Sequence, residues 1–165
     1  KLAAESDHIE IESSPIQIKI QEIVSEYQQK FEELDHEYEA AVPLQKFADA
    51  IGCSLLWGSL DKAIYGYTVV NSLNAIMQLS SDEFNRIYGW STERVLVFTN
   101  VSTGKSPMVA IRVTPFKPRC VVLQGIDAPD VHPIVEKMAE RDRITVLCTG
   151  MDVDKIVSTL REQEW

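Results

Sequence analysis

The sequence predicts a mixed α/β protein with a long N-terminal helix, a central region of helices and a β-hairpin, and a C-terminal parallel βαβα unit. The last third of the chain carries most of this prediction. Two runs rich in Val, Ile and Leu, at 119–127 and 144–150, each end in a turn that contains Gly. Helical patterns follow at 129–143 and 151–162. Strands that alternate with helices in this way are typical of a parallel sheet.

The composition predicts one soluble globular domain whose acidity lies at the N-terminus. Residues 1–40 carry 11 acidic and 3 basic side chains, a net charge of −8, whereas residues 41–165 carry 14 and 13, a net charge of −1. A surface that neutralises phosphates needs clustered Lys and Arg, and the sequence has no such cluster. No apolar run is long enough to cross a bilayer and no signal peptide is visible, so we expect a cytoplasmic protein without a membrane partner.

The reactive residue types form no catalytic or metal-binding pattern. Cys53, Cys120 and Cys148 lie far apart without Cys-x-x-Cys spacing, which predicts buried thiols in a reducing compartment. The histidines share no ligand spacing, and no Ser, Cys or Thr lies in a nucleophile-elbow pattern. We therefore predict no cofactor, no metal and no catalytic residue.

The N-terminal part predicts a linker followed by a long helix. Residues 1–13 are polar and acidic, which is typical of a linker. A Ser at the N-cap and Pro15 at the first helical position begin a helix, predicted for 14–42, and Pro43 ends it. The remainder of the chain, 43–165, is predicted to form the α/β domain.

The apolar residues of the long helix recur at intervals of 4, 3, 4, 4, 3 and 4 and so form one seam. The seam predicts either a two-stranded coiled coil that holds a homodimer together or a long helix packed on its own domain. The residues predicted to mediate dimerisation are Ile16, Ile20, Ile23, Tyr27, Phe31, Leu34 and Tyr38.

The central region predicts several short elements. Residues 44–54 have the Ala-x-x-x-Gly spacing of a helix-turn-helix, but the helix after Gly52 would be apolar with only Lys62 basic. A helix C-cap at Gly52 explains the glycine more simply. The other predicted elements are helices at 72–77 and 80–88 and strands at 94–99 and 108–114, joined as a hairpin by 100–107.

Gly104-Lys105-Ser106 resembles the end of a phosphate-binding loop. That loop needs a Gly five positions before Gly104, where this chain has Thr99, and it leads into a helix, whereas we predict a strand. The sequence therefore argues against a phosphate-binding loop here.

The turns after the two C-terminal strands hold the candidate ligand residues. In parallel α/β sheets, ligands bind in the crevice at the carboxyl ends of the strands. Glycines there allow close approach and polar side chains could bond a small molecule. The alternative is that such turns need Gly and helix caps without any ligand. The candidate ligand-binding residues are Gln124, Gly125, Asp127, Thr149, Gly150 and Asp152.

One segment resembles a known regulatory domain. Residues 120–162 are similar to the DRTGG-type domain in their apolar strand, their small-residue turn, and the helix that leads through Ala139-Glu140 into the strand 144–149. Thr145 stands where that family usually has Pro, and the motif that names the family is missing. The resemblance therefore carries over no ligand residue.

The wider layout resembles the C-terminal portion of archaeal transcriptional regulators that begin with a winged helix. The residues that carry this resemblance are 117–127, 139–150 and 156–162. It implies a DNA-binding domain upstream of Lys1, a dimerising connector helix and a domain in 43–165 that senses a small-molecule effector.

Other functions are compatible with the same residues. One is a small enzyme acting on a phosphorylated or nucleotide-like substrate in the strand-end crevice. A second is a non-enzymatic protein-interaction module that uses the acidic helix. A third is direct DNA binding through 44–64, which would show a steep salt dependence.

Overall fold

The structure is a computed structural model, and it describes residues 35–71, 93–112 and 117–163. These residues form one six-stranded sheet with helices on both faces, which confirms the predicted mixed α/β class. In chain order the elements are β1 (Asp35–Pro43), α1 (Leu44–Ala50), β2 (Ser54–Trp57), β3 (Ala63–Asn71), β4 (Val95–Thr99), α2 (Lys105–Arg112), β5 (Cys120–Gln124), a 3-10 helix (Ala128–Asp130), α3 (Ile134–Asp142), β6 (Thr145–Thr149) and α4 (Val153–Glu162).

The strand order across the sheet is β1-β3-β4-β5-β6-β2. The four central strands are parallel, whereas β1 pairs antiparallel with β3 and β2 pairs antiparallel with β6. Because the central strands are parallel, their carboxyl ends meet along one edge of the sheet, which we call the carboxyl edge. Strands β4, β5 and β6 are buried at every position, as expected for parallel strands covered on both faces.

Helices divide the core into two layers. Met108 and Ile111 of α2 and Val135 and Met138 of α3 pack with Phe98 and its neighbours on one face of the sheet. Helices α1 and α4 pack on the opposite face. Their buried residues are Leu44, Phe47, Ala48, Ile51, Ile156 and Leu160. In the part of the chain that the structure describes, no helix is long and apolar enough to span a membrane.

The C-terminal prediction is confirmed, since β5, α3, β6 and α4 follow one another as a parallel βαβα unit. Helix α3 ends at Asp142, and the next residue, Arg143, adopts the left-handed conformation with φ 55°. The Ile144 amide then donates to the Ala139 carbonyl at 3.0 Å. The predicted strand at 94–99 is also confirmed, as β4.

The long helix does not extend to 42, because residues 35–43 form strand β1. Alternate side chains of β1 point to different partners: Asp35 and Glu37 bind Arg94, whereas the Tyr38 ring packs against Tyr67 at 5.9 Å. This two-residue alternation is that of a strand. Tyr38 therefore belongs to the sheet, and the other six residues of the predicted dimerisation seam lie outside the described ranges.

The predicted hairpin is wrong, because 105–112 form helix α2 instead of leading into a strand at 108–114. A short apolar run cannot be assigned to a strand or a helix by its composition alone. Parallel strands need a long crossover, and α2 supplies it between β4 and β5. The helices predicted at 72–77 and 80–88 lie outside the described residues.

The helix-turn-helix interpretation of 44–64 is also wrong, because α1 is followed by strand β2 rather than by a second helix. Gly52 has φ 63°, and the Cys53 amide donates to the Ala48 carbonyl at 2.9 Å. This is the left-handed helix ending that the C-cap interpretation predicts. A helix-turn-helix is therefore excluded for this segment.

Candidate functional site

The carboxyl edge brings the two candidate turns next to each other. Strands β5 and β6 are neighbours, with Gln124 opposite Thr149. The Gly125 amide donates to the Thr149 carbonyl at 2.9 Å, which joins the turns directly. The residues singled out from the sequence thus lie in two adjacent turns at one end of the sheet.

Gln124 holds the turns of the carboxyl edge together. Its side chain is buried, with 6% of the residue exposed. Its Oε1 accepts from the Asn100 amide at 2.7 Å, and its Nε2 donates to the Met151 carbonyl at 3.0 Å. One amide group therefore ties the turns that follow β4, β5 and β6.

Thr149 is likewise structural. Its hydroxyl donates to the Ile51 carbonyl at 2.7 Å and accepts from the Met151 amide at 3.2 Å. These bonds fasten the turn after β6 to the end of α1. Gln124 and Thr149 thus both have a scaffold role at this edge, and their ligand role stays a prediction.

The remaining four candidates face solvent. Gly125 and Gly150 are exposed, and a Cβ on Gly150 would meet no atom within 4 Å. Asp127 and Asp152 occupy the positions before the 3-10 helix and α4, yet neither side chain makes a capping hydrogen bond. The capping role that the sequence suggests for these carboxylates is therefore wrong.

The turn after β4 reaches the same edge. Contrary to the strand prediction, a helix does follow Gly104, so one of the two sequence arguments against a phosphate loop is removed. The other stands, since Thr99 occupies the place of the required Gly. Gly104 has φ 82°, and a Cβ there would lie 2.8 Å from Leu123 Cδ1. Packing therefore accounts for this glycine.

Asn100 is the residue of this edge that the sequence analysis missed. It is exposed and has φ 55°, a conformation that Asn adopts more readily than most residues. An Asn directly after a fully buried strand was the available signal. Its backbone amide is fixed by Gln124, so the adjoining Asn100 side chain starts from an ordered position at the edge.

The carboxyl edge has a negative net charge. Its turns and first helical turns carry more carboxylates than ammonium groups. Such an edge favours ligands with hydroxyl or amine donors over anions. Among the described residues, no group of three His, Cys, Asp or Glu side chains is placed to hold a metal ion. The charged residues concerned include Asp127, Asp130, Glu136, Asp152, Asp154, Lys105 and Lys155.

The three thiols lie in or beside the sheet, where burial disfavours their charged thiolate forms. Burial raises the pKa of Cys53 to about 12, and Cys148 and Asp49 reinforce this shift. Burial also raises the pKa of Cys120 well above its usual range and the pKa of Cys148. These shifts fit the predicted core role of the thiols.

We expect the free energy of unfolding to fall as the pH rises above the ordinary thiol pKa of about 8.5. A thiol whose pKa is higher in the folded than in the unfolded chain stabilises the fold, and this stabilisation is complete below the unfolded-state pKa. It is lost as the pH rises towards the folded-state pKa, because the unfolded chain releases its protons first. For fully buried Cys120 the loss is about 2 kcal/mol at pH 10. Urea unfolding at pH 7 and pH 10 measures it. Cys120→Val should show a smaller loss; an unchanged pH dependence would contradict the assignment.

The fold and its edge define a class of protein before any relative is considered. An open sheet with a parallel centre, helices on both faces and polar turns at the carboxyl edge is the architecture of α/β ligand-binding domains and enzymes. No protein-family model matches the sequence. The similarity to the DRTGG-type domain therefore remains a prediction.

The chain is similar over most of its length to two archaeal proteins. It is 46% identical over 127 residues to an uncharacterized HTH-type transcriptional regulator of Methanocaldococcus jannaschii, covering 76% of this chain and 53% of that protein. It is 41% identical over 149 residues to an uncharacterized HTH-type transcriptional regulator of Archaeoglobus fulgidus, covering 86% and 64%. The chain thus spans between about half and two thirds of these relatives.

Proposed function

We propose that this chain is the sensing part of an archaeal HTH-type transcriptional regulator and that its effector binds at the carboxyl edge. The observation that carries the proposal is the 46% identity to a protein named as an HTH-type transcriptional regulator. The matched region covers only 53% of that protein. Both relatives bear the names of regulators and not of enzymes, which favours a non-catalytic role.

The described residues support a division of labour between sensing and DNA reading. Residues 44–64 contain α1 and β2, so they do not supply a helix-turn-helix. Residues 41–165 have a net charge of only −1 and no cluster of basic side chains. We assign the helix-turn-helix to the part of the relatives that this chain does not span. In this proposal the regulator acts as a homodimer, and residues 14–34 connect the two functions.

The exposed groups at the carboxyl edge indicate the kind of effector. Asp127 and Asp152 present carboxylates that are not engaged in capping, and Gly125 and Gly150 let a small molecule approach the backbone. Carboxylates accept hydrogen bonds and attract cations. We therefore expect a polar effector with several hydroxyl or amine donors.

The hydrogen bonds of Gln124 provide the means of transmission. Because this side chain joins the turns after β4, β5 and β6, a ligand that restrains one turn restrains all three. An effector changes the regulator only if it has different affinities for two states. The proposed states differ in the arrangement of these turns relative to β1, into which residues 14–34 lead.

We expect one class of polar compound to raise the thermal midpoint of the chain in a panel of nucleosides, amino acids, polyamines and sugars. Ligand at a hundred times its dissociation constant stabilises by about 2.7 kcal/mol, which corresponds to roughly 5–10 °C. The double variant Asp127→Asn, Asp152→Asn should lose this rise, because the carboxylates accept the effector's donors. Differential scanning calorimetry measures both chains.

The matched control is Asp130→Asn, Asp154→Asn, which removes the same charge from exposed neighbours at the same edge. It should retain most of the rise in midpoint. A panel without any stabilising compound, or a rise that persists in the first double variant, would contradict binding at the carboxyl edge.

A further inference from the structure

The two outermost strands of the sheet, β1 and β2, differ in how well they are protected against pairing with a strand of another molecule. Edge strands are normally blunted by charges, prolines or covering elements. Strand β1 carries Asp35, Glu37 and Glu39 and ends at Pro43, so two copies joined through β1 would bring acids together. Strand β2 has no such protection: no residue between Ala50 and Leu60 is charged.

The side chains of β2 expose apolar surface on both faces of the sheet. Leu55 is 48% exposed, and Leu56 and Trp57 are half-buried. Leu55 pairs with Leu147, which lies on the α1 and α4 face, whereas Trp57 pairs with Val146 on the α2 and α3 face. In the described part of the chain, no further strand pairs with the outer side of β2.

A small cavity adjoins strand β2 on the face of the sheet that α2 and α3 cover. Its volume is about 100 Å³, and it lies between β2, the 3-10 helix and the start of α3. A cavity of this size holds one aliphatic side chain rather than a drug-sized ligand. The residues that line it include Leu56, Trp57, Val131, His132 and Pro133.

We propose that β2 pairs antiparallel with β2 of a second copy of this chain, which continues the sheet across a two-fold axis. A two-fold axis perpendicular to the sheet places β2 of one copy antiparallel to β2 of the other copy. It also preserves the two faces of the sheet, so in a register centred on Leu55 the two Leu55 side chains meet across the axis on the α1 and α4 face, and Trp57 of each copy lies two residues from the axis. The cavities of the two copies then lie beside the seam, where each accepts an apolar side chain of the other copy.

The lack of charge on β2 favours a second copy of the chain as the occupant. Each chain has a net charge of −9, so two copies repel each other except where their facing surfaces are neutral. Strand β2 is the edge that meets this condition. The register of β2 shifts between Leu55 and Trp57, which limits the ladder to a few main-chain bonds. The interface between the two β2 strands is therefore small, and complexes with small interfaces are weak and depend on concentration.

Leu55→Lys tests the pairing in the full chain by sedimentation velocity over a wide range of concentration. We expect the unaltered chain to associate as its concentration rises. Leu55→Lys should weaken association by about tenfold or more, because it places two ammonium groups together across the axis. Val109→Lys is the control, since Val109 is similarly exposed, at 41%, but lies on α2.

A cysteine cross-link locates the seam independently of folding effects. Leu55→Cys should form a disulfide-linked dimer under mild oxidation, because residue 55 of one copy meets residue 55 of the other. Val109→Cys should not, and the unaltered chain under the same oxidation is the control for the three native thiols. A monomeric unaltered chain at every concentration would overturn the proposal. Association that Leu55→Lys leaves intact, without cross-linking of Leu55→Cys, would also overturn it, since another surface such as the predicted N-terminal seam then joins the copies.

Discussion

Replacing Arg94 by Met is expected to lower the free energy of unfolding by roughly 3–5 kcal/mol, the range seen when one partner of a buried ion pair is removed. Arg94 is completely buried at the start of β4. Its guanidinium binds Asp35 Oδ1 at 2.5 Å and also contacts the Glu37 carboxylate and the Thr68 hydroxyl. The Met variant leaves the half-buried Asp35 carboxylate and the exposed Glu37 carboxylate of β1 without their cation, so the loss should lie at the lower end of that range.

Urea unfolding followed by circular dichroism measures this loss, and Arg119→Met provides the comparison. Arg119 forms an ion pair with Glu93 at 2.5 Å, but both side chains are more than one third exposed. Exposed pairs contribute little, so this variant should cost about 1 kcal/mol or less. Equal losses for the two arginines would show that burial does not govern the strength of the Arg94 cluster.

Replacing Gln124 by Met should cost about 2–4 kcal/mol. The two side chains have similar length, so the change removes hydrogen bonds without opening a large cavity. It leaves the Asn100 amide and the Met151 carbonyl without their partner, and each unpaired group costs about 1–3 kcal/mol where it is buried. Chemical denaturation of the variant and the unaltered chain measures the difference.

Gln45→Met is the control for Gln124, because the Gln45 side chain bonds Asp49 at 2.9 Å on the exposed face of α1. Its loss should stay below about 0.5 kcal/mol. If both glutamines cost equally little, the turns at the carboxyl edge are not held by the Gln124 amide. The proposed transmission between those turns would then fail together with the stability prediction.

The sequence predicted the C-terminal unit correctly because its signals are local. Strands β5 and β6 are continuous apolar runs, and a Gly turn and a helical pattern follow each of them. The strand β1 was missed because its apolar spacing also fits a helix. Its conformation depends on Arg94 and Tyr67, which lie 59 and 31 residues from the Asp35 and His36 that they contact. Contacts at that separation leave no local pattern.

At the candidate site, too, the sequence predicted the features that depend on local patterns and missed those that depend on contacts between residues far apart in the chain. Adjacency of the two turns follows from parallel strand order, which the alternation of strands and helices predicts. The scaffold roles of Gln124 and Thr149 do not follow, because their partners Met151 and Ile51 lie 27 and 98 residues away. Helix α2 was missed because a run such as Met108–Arg112 suits either element, and only the parallel pairing of β4 and β5 requires a crossover.

Strand β2 has a consequence for how the protein is made. The Thr149 hydroxyl binds the Ile51 carbonyl across 98 residues, and the Thr145 hydroxyl binds the Ser59 carbonyl across 86 residues. At the usual rates of translation, roughly 5–20 s separate the synthesis of β2 from that of β6. During that interval the nascent chain carries an uncharged Ser-Leu-Leu-Trp segment whose partner strand does not yet exist. Closure of the sheet on this side therefore has to wait until β6 has been synthesised, and the apolar segment of β2 stays without its partner strand until then.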